Sequence, residues 1–155
     1  MVDWQVLDIR VLPGWRAGTT IRFPRAGNEQ PAGKSQDVVF VIEEKPHPRF
    51  IRAMNDLIVT QKLPLVEALI GKGERKMVEH LDGRKLHVPV PLGVVKPGQE
   101  TTVSGEGMPV RKDGQMCGKG DLIVKWEIVF PNHLTPSQKD GIERILGWGG
   151  GSGSI

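Results

Sequence analysis

Glycine and proline punctuate this chain more heavily than anything else in it, 20 Gly and 12 Pro in 155 residues. The apolar residues between them are mainly aliphatic and β-branched, with no Tyr and only 5% aromatics. Frequent breaks in a β-branched background favour short strands joined by turns. With 38% hydrophobic and 25% charged residues, the chain has the composition of an ordinary globular protein and can bury one core or two small ones.

Composition also excludes several function classes. The 21 basic and 18 acidic residues are scattered along the whole length, which gives a mixed field rather than the basic stripe that nucleic acid requires. Cys117 has no partner for an internal disulfide, and no Cys/His cluster has zinc-site spacing, so no metal or other cofactor is expected. Met1–Arg10 lacks the basic start and apolar run of a signal peptide, and no apolar stretch approaches the roughly 20 residues that span a bilayer. A reducing, cytoplasmic location and no membrane partner are therefore expected.

Along the chain, Leu7, Ile9 and Val11 alternate with Asp8 and Arg10, the period of a half-buried strand, before Pro13-Gly14 forces a turn. Thr19, Ile21 and Phe23 repeat that pattern. Ala26–Gln36 is polar, and the unbroken apolar run Val38–Ile42 is expected to be a strand covered on both faces. Lys45-Pro46-His47-Pro48 lacks two backbone donors within four residues and reads as a stiff connector.

Beyond the connector, Leu57, Val59, Gln61 and Leu63 mark one side of a strand. Pro64 then opens a short helix ending at Gly71, with Leu65, Ala68 and Leu69 on one face. Asp82-Gly83 is the strongest hairpin signal. Gly120-Asp121 introduces a long strand with Leu122, Val124, Trp126 and Ile128 on one side, and Pro131 ends it. Thr135 and Pro136 suit the N-cap and first position of a last helix carrying the apolar stripe Ile142, Ile145 and Leu146. Gly149–Ser154 reads as a flexible tail.

Seven short motifs then stand in collinear order: Pro13-Gly14-Trp15-Arg16-Ala17-Gly18-Thr19, Lys45-Pro46-His47-Pro48-Arg49-Phe50, Asn55-Asp56-Leu57-Ile58, Pro64–Gly71, Leu81-Asp82-Gly83-Arg84, Gly105-Glu106-Gly107-Met108-Pro109 and Gly120-Asp121-Leu122. Together they resemble the carboxy-terminal, client-binding region of DnaJ-type co-chaperones, in the branch without the zinc module. The resemblance spans roughly Val6–Leu146. It implies a mainly β fold: two β-sandwich-like subdomains in series, the first truncated, with a short capping helix and a C-terminal dimerisation helix. Residues 1–46 would be the partial first subdomain, 47–132 the second, 133–147 the dimerisation helix and 148–155 the tail.

The function implied is non-enzymatic: unfolded or extended client polypeptides add as a strand beside shallow apolar pockets, in partnership with a DnaK-type ATPase chaperone. By resemblance, Phe40 is the groove aromatic with Val38 and Ile42 beside it. Lys45 lies near the site for the partner's acidic C-terminal tail, and Ile142, Ile145 and Leu146 carry homodimerisation. The family's earlier groove strands and its J domain lie outside the sequence, and Ala53-Met54 replaces the usual acidic residue and Gly at a turn. A second reading is therefore a dimerisation scaffold with a defunct groove. An enzyme built on Cys117 with His47, His80, His87 or His133 has no supporting motif. Cys117 is expected in a Gly-rich loop, and Gly105-Glu106-Gly107 lacks the Lys-Ser/Thr that a phosphate loop needs.

Overall fold

The computed structural model describes residues 6–24 and 37–147. The polar stretch expected over Ala26–Gln36 and the tail over Gly149–Ser154 lie outside the described residues. The fold is mainly β, as the Gly/Pro punctuation requires, with ten strands and two helices among the described residues. Two compact units divide it: Met1–Thr60 with Glu100–Lys125, and Gln61–Gln99 with Trp126–Ile155. No helix among the described residues is long and apolar enough to cross a membrane.

The first unit is built on β3 (Phe50–Ala53), β4 (Asp56–Pro64), β7 (Glu100–Val103) and β10 (Leu122–Val129), in the order β3-β4-β10-β7. Alternation drives Leu57, Val59, Leu122 and Val124 to one face, where all are buried with Phe50, each contributing about 1.5–3 kcal/mol. The same unit holds the ribbon of β1 (Thr20–Phe23) and β2 (Val38–Val41) and the hairpin of β8 (Pro109–Lys112) and β9 (Gln115–Lys119).

Three of the sequence motifs interlock in this unit. Met108 N donates to Asn55 O at 2.8 Å, Gly107 N to Gly120 O at 2.8 Å, and Leu57 N to Asp121 O at 2.9 Å. The Asp56 carboxylate accepts from Asp121 N at 2.8 Å. The backbones approach so closely that a Cβ on Gly120 would sit 2.0 Å from Asn55 O, and one on Gly107 2.5 Å from Asp121 N. Glycine is required there for want of space.

In the second unit β4 and β10 run on to Pro64 and Val129, joined by α1 (Leu65–Ile70), the ribbon of β5 (Arg75–Glu79) and β6 (Lys85–Pro89), and α2 (Pro136–Ile145). Leu63, Ala68, Val78, Val88, Val95 and Trp126 are buried. Helix α1 stops at Gly71, whose φ of 63° is left-handed and whose N–H returns to Glu67 O at 3.0 Å, the usual glycine C-cap. Helix α2 starts on a complete capping box between Thr135 and Gln138, with Pro136 in the first turn.

Four local expectations are corrected. Residues 7–11 form no strand: Leu7 and Ile9 are half-buried but Val11 is 59% exposed, and no ladder partner exists among the described residues. Val38–Ile42 is covered on one face only, since Val39 and Val41 are 45% and 59% exposed. Asp82-Gly83 does turn a hairpin, but through a three-residue loop: His80 O accepts from Gly83 N and His80 N donates to Arg84 O, with only Gly83 at positive φ. The Asp-Gly pair that makes a tight two-residue turn is Asp113-Gly114, with φ of 52° and 78°, the double positive-φ pattern of a type I′ turn. Cys117 accordingly lies in β9 and not in a loop.

Candidate functional site

The ribbon of β1 and β2 brings the predicted site residues together. It is antiparallel, with Ile21 opposite Phe40 and Phe23 opposite Val38. Ile42 N donates to Thr19 O at 2.8 Å, and alternation then turns the backbone groups of Phe40 and Val38 toward β1 and those of Val39 and Val41 outward. Among the described residues no strand pairs with that outer edge. On one face Ile21, Phe23, Val38, Phe40 and Ile42 are all half-buried. The rings of Phe23 and Phe40 meet edge to face at 5.7 Å, a contact worth about 0.5–1.5 kcal/mol beyond its area.

Ile21 and Phe23 belong to this face as much as the β2 residues do. Their alternation was visible in the sequence, but only the register opposite Val38 and Phe40 assigns them to it. The ribbon is positioned from the Pro13–Thr19 turn. Arg52 donates to Met54 O at 2.7 Å, Trp15 O at 2.7 Å and Gly14 O at 3.2 Å, and Arg111 donates to Pro13 O at 2.6 Å. Arg16 reaches the Asn55 side chain at 2.7 Å. Burial lowers the Arg52 pKa, with Glu44 opposing the shift and Arg16 adding to it. Gly14, at φ 94°, lies against Pro109, whose carbonyl oxygen would be 2.5 Å from an added Cβ.

Lys45 is exposed in the segment after β2 and makes no ion pair among the described residues. His47 folds that segment back, its Nδ1 accepting from Arg49 N at 3.0 Å and Phe50 N at 3.3 Å.

In the second unit, Ile142, Ile145 and Leu146 are 44%, 76% and 55% exposed. They line an apolar groove of about 790 Å³ with α1 and the end of β10. Its other walls include Val66, Phe130 and Leu134, which the sequence analysis did not single out, and Leu69, expected on one face with Ala68 but 40% exposed. The signal was there in part: Phe130 follows the last alternating residue of β10, and Val66 and Leu69 fall off the buried side of α1 marked by Ala68.

Among the described residues no three His, Cys, Asp or Glu side chains gather as a metal site, and Cys117 is free and exposed. What the geometry offers is an exposed strand edge beside a half-covered apolar face, and an apolar groove.

The sequence matches known proteins along nearly the whole chain. Residues 2–131 match the family model described as the DnaJ C terminal domain. Protein psi1 of Schizosaccharomyces pombe is 43% identical over 139 residues, which are 90% of this chain and 35% of the relative. Human DnaJ homolog subfamily B member 13 is 37% identical over 142 residues, 92% of this chain and 43% of that protein. Protein SIS1 of Saccharomyces cerevisiae is 38% identical over 138 residues, 88% of this chain and 38% of its own length. The chain thus spans about two fifths of the length of these relatives, and it belongs to the family of DnaJ C-terminal domains.

Proposed function

We propose that the chain is the client-holding part of a co-chaperone that works with a DnaK-type ATPase chaperone in protein folding. An extended segment of unfolded polypeptide adds as a strand along the outer edge of β2. Its backbone bonds to the Val39 and Val41 backbone, and alternate side chains cover the apolar face centred on Phe40. The observation carrying this reading is that free edge beside five half-buried apolar residues. Backbone pairing is indifferent to sequence, which suits a binder of many clients. Lys45 offers an ammonium to the acidic tail of the ATPase partner. The serial division into residues 1–46, 47–132 and 133–147 belongs to the same proposal.

Phe40→Ser tests the site. The variant should keep its far-ultraviolet circular dichroism and lose at least about tenfold in affinity for an apolar peptide, roughly 1.4 kcal/mol; unchanged affinity in a folded variant would sink the assignment.

A second reading, a dimerising scaffold, is favoured by the groove between α1, β10 and α2. We propose that a second copy of the chain covers it through Ile142, Ile145 and Leu146. Sedimentation of the Ile142→Asp, Leu146→Asp double variant should then show a monomer. An unchanged mass relative to the parent would refute the pairing.

A further inference from the structure

The sequence holds three Asp-Gly pairs, Asp82-Gly83, Asp113-Gly114 and Asp140-Gly141. In such a pair the glycine nitrogen can attack the side-chain carboxyl carbon of the aspartate, because glycine presents no side chain to crowd the approach. The attack needs a carboxyl free to swing onto that nitrogen and a nitrogen not already held by a hydrogen bond. It also needs the acid form, since a carboxylate is a poor electrophile. The fold treats the three pairs differently.

Asp82 is held in place. Its carboxylate accepts from Arg84 Nε at 2.6 Å and Arg84 N at 3.1 Å, bonds that lower its pKa and keep it ionised. The nitrogen it would have to meet, Gly83 N, donates to His80 O at 2.9 Å. In the Asp140-Gly141 pair Gly141 lies inside α2, where its N–H is taken up by the carbonyl four residues back. Attack there requires the helix to open. Asp113 differs on both counts. It is exposed, and its carboxyl makes no hydrogen bond or ion pair among the described residues. The Gly114 N–H donates no backbone hydrogen bond among them either; only the Gly114 carbonyl is engaged, by Arg111 Nη1 at 3.4 Å.

We propose that Asp113-Gly114 is the site at which this chain forms isoaspartate. Gly114 N bonds to the Asp113 side-chain carboxyl carbon, the amide hydrogen and the carboxyl hydroxyl leave as water, and a succinimide ring results. Water then adds back at either ring carbonyl. One opening returns aspartate. The other carries the main chain through the former side chain, one methylene longer, and frees an α-carboxyl. Nothing is oxidised or reduced, and neither mass nor net charge changes. A two-residue turn between Lys112 and Gln115, with both residues at positive φ, has no room for an extra main-chain atom. Arg111, beside that turn, also donates to Pro13 O at 2.6 Å, so the modification loosens the hairpin that braces the turn from which β1 departs.

The test ages the full chain in mildly acidic buffer and digests it. Electron-transfer fragmentation tells isoaspartate from aspartate at equal mass, and an isoaspartyl O-methyltransferase with labelled S-adenosylmethionine reports the freed α-carboxyl. Residue 113 should gain more isoaspartate than residues 82 and 140 together. The same ageing in concentrated urea, which releases all three pairs, should bring them to similar levels. A folded chain in which residue 82 or 140 matches or exceeds residue 113 overturns the proposal. So does an undiminished lead of residue 113 in urea, which would assign the preference to neighbouring residues and not to the fold. Asp113→Asn suits the left-handed backbone and expels ammonia in place of water, so it should form isoaspartate faster than the parent at neutral pH; no gain in that variant also overturns the proposal. Asp113→Glu should lose the signal, because its larger ring closes far more slowly, and a signal retained at residue 113 in that variant refutes the ring-closure route.

Discussion

The β1–β2 and β5–β6 ribbons are both antiparallel pairs with an apolar face, yet they are buried to very different depths. In β5–β6 the inward face carries Val78 and Val88, both fully buried, and the buried His80. In β1–β2 no residue is fully buried, though the face includes two phenylalanines. The difference is cover. The second unit contains α1, the continuations of β4 and β10 and the loop through Val95, whose N–H docks on Ala68 O at 2.9 Å. Nothing among the described residues completes the burial of the Phe40 face. An apolar strand face is a core in one place and is left partly uncovered, as the proposed binding surface, in the other.

The most costly way to probe this contrast is Val88→Ala, which should lower the urea-unfolding free energy by about 2–3 kcal/mol, against a smaller loss for Phe40→Ser despite the larger side chain deleted. Equal losses would mean that the β1–β2 face is as much a core as the other. Met54→Gly sharpens the same point. Met54 holds a φ of 58° in the turn between β3 and β4, a region that costs a non-glycine residue about 1 kcal/mol or more. The variant should gain about 1 kcal/mol in denaturant melts with peptide affinity unchanged. A gain in affinity alongside would show that the β1–β2 face is shallow because its unit is loose, rather than because it lacks cover.

The smallest effect is expected at Asp82, whose carboxylate takes Arg84 Nε at 2.6 Å and Arg84 N at 3.1 Å in the β5–β6 turn. Those bonds hold its pKa below the ordinary carboxylate value. A folded-state pKa below the unfolded one contributes stability above the unfolded value, lost as pH falls through the folded value. The stability gap between the parent and Asp82→Asn should be level at neutral pH and close below about pH 4. A gap that widens on acidification would reverse the assignment.

The sequence disclosed most of this wherever one rule governs the backbone. Pro64 and Gly71 bracket α1, Thr135 and Pro136 start α2, and the β4 and β10 alternation names the buried residues. It disclosed less wherever the outcome depends on a distant neighbour. The alternation at residues 7–11 reports a one-sided environment and cannot supply a ladder partner. Val38–Ile42 is apolar at every position, so no period marks which face is covered. Asp113-Gly114 and Asp82-Gly83 are the same dipeptide, and the backbone beyond each pair decides between a two-residue and a three-residue loop. For the candidate site, Phe40 was legible in β2, but Ile21 and Phe23 joined it only through cross-strand register.

The interlock of Asn55, Gly107 and Gly120 has a kinetic side. The Asp56 carboxylate and the Asp121 amide that it receives are 65 residues apart in the chain, and loop closure must come before any reward from such a contact. During synthesis the first unit cannot lock until residue 121 has been made. The turn from which β1 departs is held by Arg111 as well as Arg52, so the β1–β2 ribbon gains its full support late in folding, after most of the chain exists.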